Sequence, residues 1–327
     1  MPIRKANPEP PFNIIRASHV AFDVSDLDRS RAFYVDCLGY LISDADSNAI
    51  YLRAVEERNH HSIVLLKADN AAVPVIGFKV SSEEDLDRAA FWFAHKEYPT
   101  SFPERPYQGR TLCTCDMFGM PLEFYYRMDQ RNCMLRNYAE YKCARIQRID
   151  HINCFTPDVQ ASFDFCSELG FWLTEYTETD GGNSQLWAVW MHRKGNVHEL
   201  AFTNGRGPRL HHIGVWTASA LDILYICDVM DSSGFVANME RGPGRHGISN
   251  AFFLCVRDPD NHRVELFTSD YLTVDPDHEP LRWSLRDPQR QTLWGHQAPA
   301  SWFEEGSFFS DVRPRQPVLQ EQPIVAR

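Results

Sequence analysis

The chain has 327 residues, 43 % hydrophobic and 24 % charged, the composition of a globular protein with room for two domains of ordinary size. Its formal net charge of -11 excludes a broad nucleic-acid surface and a polybasic membrane signal, so any anion-binding site must be a local cluster. Nine cysteines, odd in number and without a CxxC pair, argue against a disulfide framework or a zinc-thiolate site and for reduced thiols in the cytoplasm; no apolar run is long enough to span a bilayer and no export signal is visible.

Residues 1–15 are Pro-rich and are expected to be flexible. A first domain, 16–127, opens with 18–24, which alternates apolar and polar side chains as a strand does. Residues 26–38 have helical apolar spacing ended by Gly39, and 49–53 and 62–66 are extended runs. A second unit begins with a strand at 73–80 and a helix at 83–96 opened by Ser81 and Ser82, and it closes on a strand at 120–126. Residues 128–147 are polar and helix-permissive without a strand pattern, and they read as a linker.

The pattern then restarts. The strand at 150–155 matches that at His19, the helix holding Phe165 matches that holding Phe33, and Leu169-Gly170 echoes Leu38-Gly39. A fourth unit starts with a strand at 210–215, continues with a helix at 221–230 and closes on a strand at 263–267. The chain therefore reads as four strand-helix-strands units in two tandem halves, the second over 148–270. Residues 271–327 carry Trp283, Trp294 and Trp302 among prolines. They are expected to lay aromatics over a site or onto a neighbouring subunit, with the last fifteen or so residues mobile.

The chemistry concentrates in the second half. Glu265 is a lone carboxylate inside an apolar strand, costly to bury unless a cation meets it. His151 and His212 occupy the first strands of the third and fourth units, so two imidazoles and one carboxylate on three strands compose the facial triad of a non-haem Fe(II) site. The first half keeps His19 and Glu123, but Val75 stands where His212 would be, so one half is expected to hold metal and the other not. Asn153 lies two residues from His151, hence on the same strand face. A Gly/Pro-rich basic loop, 241–247, brings Arg241, Arg245 and His246 ahead of the strand at 251–256, a cluster able to clamp a carboxylate.

The segments FYVDCLGY (33–40), DHINCFTPDV (150–159), WMHRKGNVHELAFT (190–203), GPRLHHIGV (207–215), RGPGRHGISNAF (241–252) and DPDNHRVELFTSDY (258–271) resemble the type I extradiol ring-cleaving dioxygenases of the vicinal oxygen chelate superfamily. The likeness runs from about Arg16 to the tail near Trp302. It implies an α+β fold of four βαβββ modules in two tandem domains, a metal site of His151, His212 and Glu265 holding Fe(II) or, in some relatives, Mn(II), and a homotetramer. It implies O2-dependent cleavage of a catechol, 3,4-dihydroxyphenylacetate or a related one, to a muconic semialdehyde. By the same resemblance His198 is the acid/base, Asn153 adjoins the O2 site and Trp190 is a pocket wall. Arg241, His246 and Arg290 face the substrate's acetate, and His246 also hydrogen-bonds near the ring oxygens.

Two positions depart from the family. Cys255 replaces a substrate-contacting tyrosine, and Gln291 replaces an arginine after Arg290, so the ring is open to a bulkier or an uncharged substituent. A glyoxalase-like or epimerase-like metal enzyme and a non-catalytic binding module are the alternatives on this fold. Both histidines and the glutamate coming from one half disfavour the first, and the retained triad with His198 and His246 disfavours the second.

Overall fold

Strands whose side chains are mostly buried on both faces build both halves of the computed structural model, which describes residues 3–143, 145–275 and 277–324. The first half runs β1 (Ile14–Val24), α1 (Leu27–Arg31) continuing into a π-helical turn (Ala32–Cys37), β2 (Leu41–Ala45), β3 (Ala49–Arg53), β4 (Ile63–Lys67), β5 (Ala72–Val80), α2 (Glu83–His95), β6 (Thr111–Cys115) and β7 (Pro121–Tyr125). The expected helix starts are real caps: the Asp26 carboxylate accepts the Arg29 N–H, and the Ser82 hydroxyl accepts that of Asp85. Gly39, at φ +87°, ends the first helix in the left-handed conformation that glycine adopts without steric cost.

The second half repeats the order with β8 (Arg148–Thr156), α3 (Val159–Glu168), β9 (Trp172–Glu178), β10 (Leu186–His192), β11 (Leu200–Asn204), β12 (Arg209–Trp216), α4 (Ala220–Ser232), β13 (Met239–Arg245), β14 (Phe252–Arg257) and β15 (Arg263–Thr268). Each half makes one mixed sheet, ordered β2-β3-β4-β1-β5-β7-β6 in the first and β13-β14-β15-β12-β8-β11-β10-β9 in the second. Antiparallel β1/β5 and β8/β12 pairs sit at equivalent places, which is the internal repeat in three dimensions. One apolar core continues across both halves, where Phe78 of β5 meets Phe171 edge-on and Trp92 of α2 meets Phe165 of α3. Among the described residues no helix is long and apolar enough to cross a membrane, and none of the nine cysteines is in a disulfide.

Several expectations are corrected. The basic loop at 241–247 is largely an edge strand, β13, whose pairing with β14 slips between Arg241 and Gly244. Gly242, at φ +99°, makes the slip possible: a Cβ there would lie 2.7 Å from the Phe253 carbonyl oxygen. The second unit carries only two named strands after its helix. Its third is reduced to the Ser101–Cys113 bridge in a segment where Pro99, Pro103 and Pro106 lack the N–H that a ladder needs. The described linker residues, 128–143 and 145–147, form turns and no helix, tied to the first half by the Met134 N–H on the Val55 carbonyl and by buried Ile146.

Described residues near both termini are packed where flexibility was expected. Phe12 is fully buried against Trp92, Phe93 and Phe124, and the Asn7 N–H donates to the Ser167 carbonyl. The tail adds β16 (Leu281–Ser284) parallel to β9, a short helix α5 (Ala300–Glu304) and β17 (Ser307–Phe308) against β12. It is anchored further on by the Val318 N–H on Pro157 O and by the Trp187 indole on Glu321 O, both 2.8 Å. Residues 1–2 and 325–327, the outermost parts of those two expectations, lie outside the described residues. Because Phe12 fills core space, Phe12→Ala is expected to cost about 3 kcal/mol or more in urea unfolding; a change near zero would mean that the N-terminal segment does not pack.

Candidate metal centre

Register brings the site together. On β12, Gly214 pairs with His151 of β8 on one side and with Glu265 of β15 on the other, and His212 stands two residues before it on the same face. A glycine is required at that crossing, since a Cβ on Gly214 would lie 2.0 Å from the His151 ring. The three side chains are 1 %, 4 % and 4 % exposed for His151, His212 and Glu265, and they offer ligand atoms within 4.8 Å of one another. His151 Nε2 is 3.3 Å from His212 Nε2 and 3.1 Å from Glu265 Oε2, and His212 Nε2 is 3.7 Å from the same oxygen.

The side chains behind these atoms turn the ligand nitrogens toward one another, as a metal ion requires. His211 Nε2 lies 2.7 Å from the Trp302 carbonyl, which can only accept, so that nitrogen carries the proton and His211 Nδ1 is left as an acceptor. The 2.6 Å contact between His211 Nδ1 and His212 Nδ1 then places a proton on His212 Nδ1 and a bare lone pair on its Nε2. His151 turns its Nδ1 toward the Asp150 carboxylate at 3.5 Å, which leaves its Nε2 to the triad. Two imidazole nitrogens and a carboxylate oxygen so placed repel one another unless a proton or a metal cation lies between them. Burial lowers the His151 pKa, but the Asp150 and Glu265 carboxylates outweigh it and push it up to about 9. Burial takes His212 down to about 3. For Glu265, burial works upward, and hydrogen bonds from His151 and His246 hold the carboxyl well below its ordinary range. A divalent cation held by these residues would displace the shared proton and pair with the carboxylate, which would couple uptake to proton release.

The first half shows what happens when one ligand is missing. His19 and Glu123 meet at 2.9 Å across Gly77, whose Cβ would fall 2.1 Å from the His19 ring, the same arrangement as in the second half. Val75 takes the place of His212, and the Arg105 Nε donates to Glu123 Oε2 at 2.8 Å. A fixed guanidinium thus supplies the positive charge that a metal supplies in the other half. Among the described residues only His151, His212 and Glu265 form a group able to hold a metal.

A cavity opens beside the triad, and Asn153, Trp190, His198 and His246 line it. His198 packs its ring 4.0 Å from that of His151, and burial, with His151 adding, takes its pKa well below the ordinary value. The Thr203 hydroxyl donates to Asn153 Oδ1 at 3.3 Å, leaving the amide N–H groups for the cavity. His246 lies flat on Phe253, with Nδ1 2.6 Å from the Gln291 carbonyl oxygen and Nε2 2.9 Å from Glu265 Oε1. It therefore touches the oxygen of Glu265 that faces away from the histidines.

Three expected substrate contacts are not in the wall. Arg241 is 3 % exposed between the Phe253 and Trp302 rings, donating to Gln291 O at 2.9 Å and Thr292 Oγ1 at 2.6 Å. Arg290 is buried with its guanidinium 5.1 Å from the Trp187 ring. The Cys255 thiol is buried and faces Glu265 Oε1 at 3.8 Å. Gln291, Trp302 and Phe303 from the tail line the cavity in their place. Sequence reading passed over His211 and Asp150, the side chains behind the ligands; their adjacency to His212 and His151 was the available signal. Because Gly214 makes room for a ligand ring, Gly214→Ala is expected to weaken metal binding at least about tenfold in a competition titration, while Gly77→Ala leaves it unchanged. Equal affinity in the two variants would contradict the site.

Comparison with known proteins agrees with this geometry. The Glyoxalase/Bleomycin resistance protein/Dioxygenase superfamily matches residues 16–126 and 148–266. The manganese-dependent 2,3-dihydroxybiphenyl 1,2-dioxygenase of Geobacillus genomosp. 3 is 30% identical over 86% of this chain and 93% of its own length, and the metapyrocatechase of Geobacillus stearothermophilus is 28% identical over 91% and 95%. The solved homoprotocatechuate 2,3-dioxygenase of Brevibacterium fuscum, in complex with 3,4-dihydroxyphenylacetate, superposes with a TM-score of 0.90 at 39% identity, covering 96% of this chain and 99% of that one. With a buried His-His-Glu site for a divalent metal in its second half, the chain belongs to this superfamily and, within it, to the extradiol ring-cleaving dioxygenases.

Proposed function

We propose that the protein cleaves a substituted catechol with O2 to a muconic semialdehyde, that its resident metal is Fe(II), with Mn(II) as the alternative, and that the substrate is 3,4-dihydroxyphenylacetate or a related catechol. The observation that carries this is the cavity reaching the triad with neutral His198 and the Asn153 amide on its wall. A divalent metal held by His151, His212 and Glu265 supplies Lewis acidity and a common template for catechol and O2.

The chain's own groups do the rest. His198, kept neutral by burial, accepts the proton that a catechol hydroxyl gives up on binding and returns a proton as the ring opens. The Asn153 N–H groups steady an oxygen atom beside the triad. Trp190 and Trp302 wall the ring in and exclude water. His246 holds Glu265 by its outer oxygen, so the carboxylate keeps its aim while charge shifts within the site. The same reading takes the protein as a cytoplasmic homotetramer, in keeping with its nine free thiols and with the family resemblance.

A second reading of the substrate, an uncharged ring substituent, is favoured by one observation: among the described residues no arginine or lysine lines the cavity, and Gln291 does. The test is O2 uptake and ring-fission product formation by anaerobically Fe(II)-loaded protein with catechols bearing acetate, propionate, alkyl or no side chain. Turnover of an acetate-bearing catechol ahead of the others supports the first reading, and preference for the uncharged ones supports the second. No turnover of any catechol by metal-loaded protein contradicts both. His198→Ala is expected to lower kcat at least about a hundredfold with metal content unchanged; parent-like kcat would remove His198 from the chemistry.

A further inference from the structure

The tail reaches the metal centre through a side chain that is not a ligand. Behind His212 stands His211, 3 % exposed, with Nδ1 2.6 Å from His212 Nδ1 and Nε2 2.7 Å from the Trp302 carbonyl oxygen. His211 also lies edge-on to the Trp302 ring at 4.5 Å and to Phe155 at 4.8 Å, so its ring has one orientation. The polarity of this chain is fixed at its far end, because a carbonyl accepts and never donates. The alternative is a doubly protonated His211 with His212 protonated on Nε2, the nitrogen that must face the metal. That places a buried charge with no carboxylate on its ring, beside the Arg263 guanidinium that donates to the His211 carbonyl at 3.0 Å.

The carbonyl at the end of the chain is itself held in place. It belongs to α5, and Arg263 on β15 binds that helix by donating to Ser301 O and Glu305 O at 3.2 Å each. Glu240 on β13 locks Arg263 in a two-pronged pair at 2.6 and 3.0 Å and accepts the Ser301 hydroxyl at 2.8 Å. Trp302 meanwhile lines the cavity and stacks with Arg241 at 4.7 Å. The segment that covers the substrate cavity therefore also sets the hydrogen on a ligand two residues away in the relay.

We propose that His211 is a positioning residue: it passes the Trp302 carbonyl's demand for a hydrogen to His212, fixes His212 as the tautomer with a bare Nε2, and so couples the seating of the tail helix to metal affinity. The proposal rests on His212 as a ligand and not on which catechol is cleaved.

The test uses the full chain and the metal alone. Competition titration of Mn(II) against a chelator is compared for the parent, His211→Phe, which keeps the ring shape without its nitrogens, and His211→Gln, whose amide can both accept and donate. His211→Phe is expected to bind Mn(II) about 10- to 100-fold more weakly, with His211→Gln recovering most of the loss and the metal-free proteins melting alike. Parent-like Mn(II) affinity in His211→Phe overturns the proposal, as does equal weakening in both variants. Where a variant does not fold, the metal-free parent decides: with 15N-labelled histidine, long-range nitrogen–proton correlations read the His212 tautomer. A proton on Nδ1 is expected, and a proton on Nε2 overturns the assignment.

Discussion

A carboxylate buried among imidazoles is the constraint on which the rest of this molecule depends. Glu265 sits in a central strand with one oxygen toward His151 and His212 and the other toward His246, and no lysine or arginine pairs with it among the described residues. Such a group is destabilising unless a cation completes it. The strand register, the glycine at 214 and the groups behind each ligand all serve to keep that cation's place defined. His151 is backed by Asp150, His212 by His211 and a tail carbonyl, and Glu265 by His246 and the Cys255 thiol.

The duplicated architecture solves the same problem twice in different ways. In the second half three strands converge on a position for a metal. In the first half the same register places His19, Gly77 and Glu123 together, but Val75 offers no ligand and Arg105 reaches in with a permanent charge. One half keeps chemistry and the other turns the same cradle into an internal ion pair that costs no ligand. The shared core at Phe78 and Phe171 joins the half without the triad to the half that carries it.

How much was legible in the sequence follows from how local each feature is. Alternation and helix spacing located most of the strands and four of the helices, because those periods depend on residues near in sequence. The ligand set was legible because the repeat allowed one half to be compared with the other, so His212 against Val75 singled out the metal-bearing half. Arg241 was not legible as a walled-off group: its direction is set by Trp302, which lies 61 residues on (302 minus 241) and stacks its ring on the guanidinium. The role of His211 was hidden for a similar reason, since it depends on a carbonyl 91 residues away. The strand at 239–245 was masked by its glycines and proline, which in isolation signal a loop and here make an irregular edge. The tail showed no periodicity because it is held by scattered backbone hydrogen bonds and single aromatic contacts rather than by an apolar face.

One divalent metal per chain, in the second half alone, is what this arrangement of ligands requires. Diffraction from metal-loaded crystals, collected on both sides of the absorption edge of that metal, measures this directly. A single anomalous peak per chain is expected within bonding distance of His151 Nε2, His212 Nε2 and a Glu265 carboxylate oxygen. A peak beside His19 and Glu123, or no peak at the triad in metal-loaded protein, would contradict it.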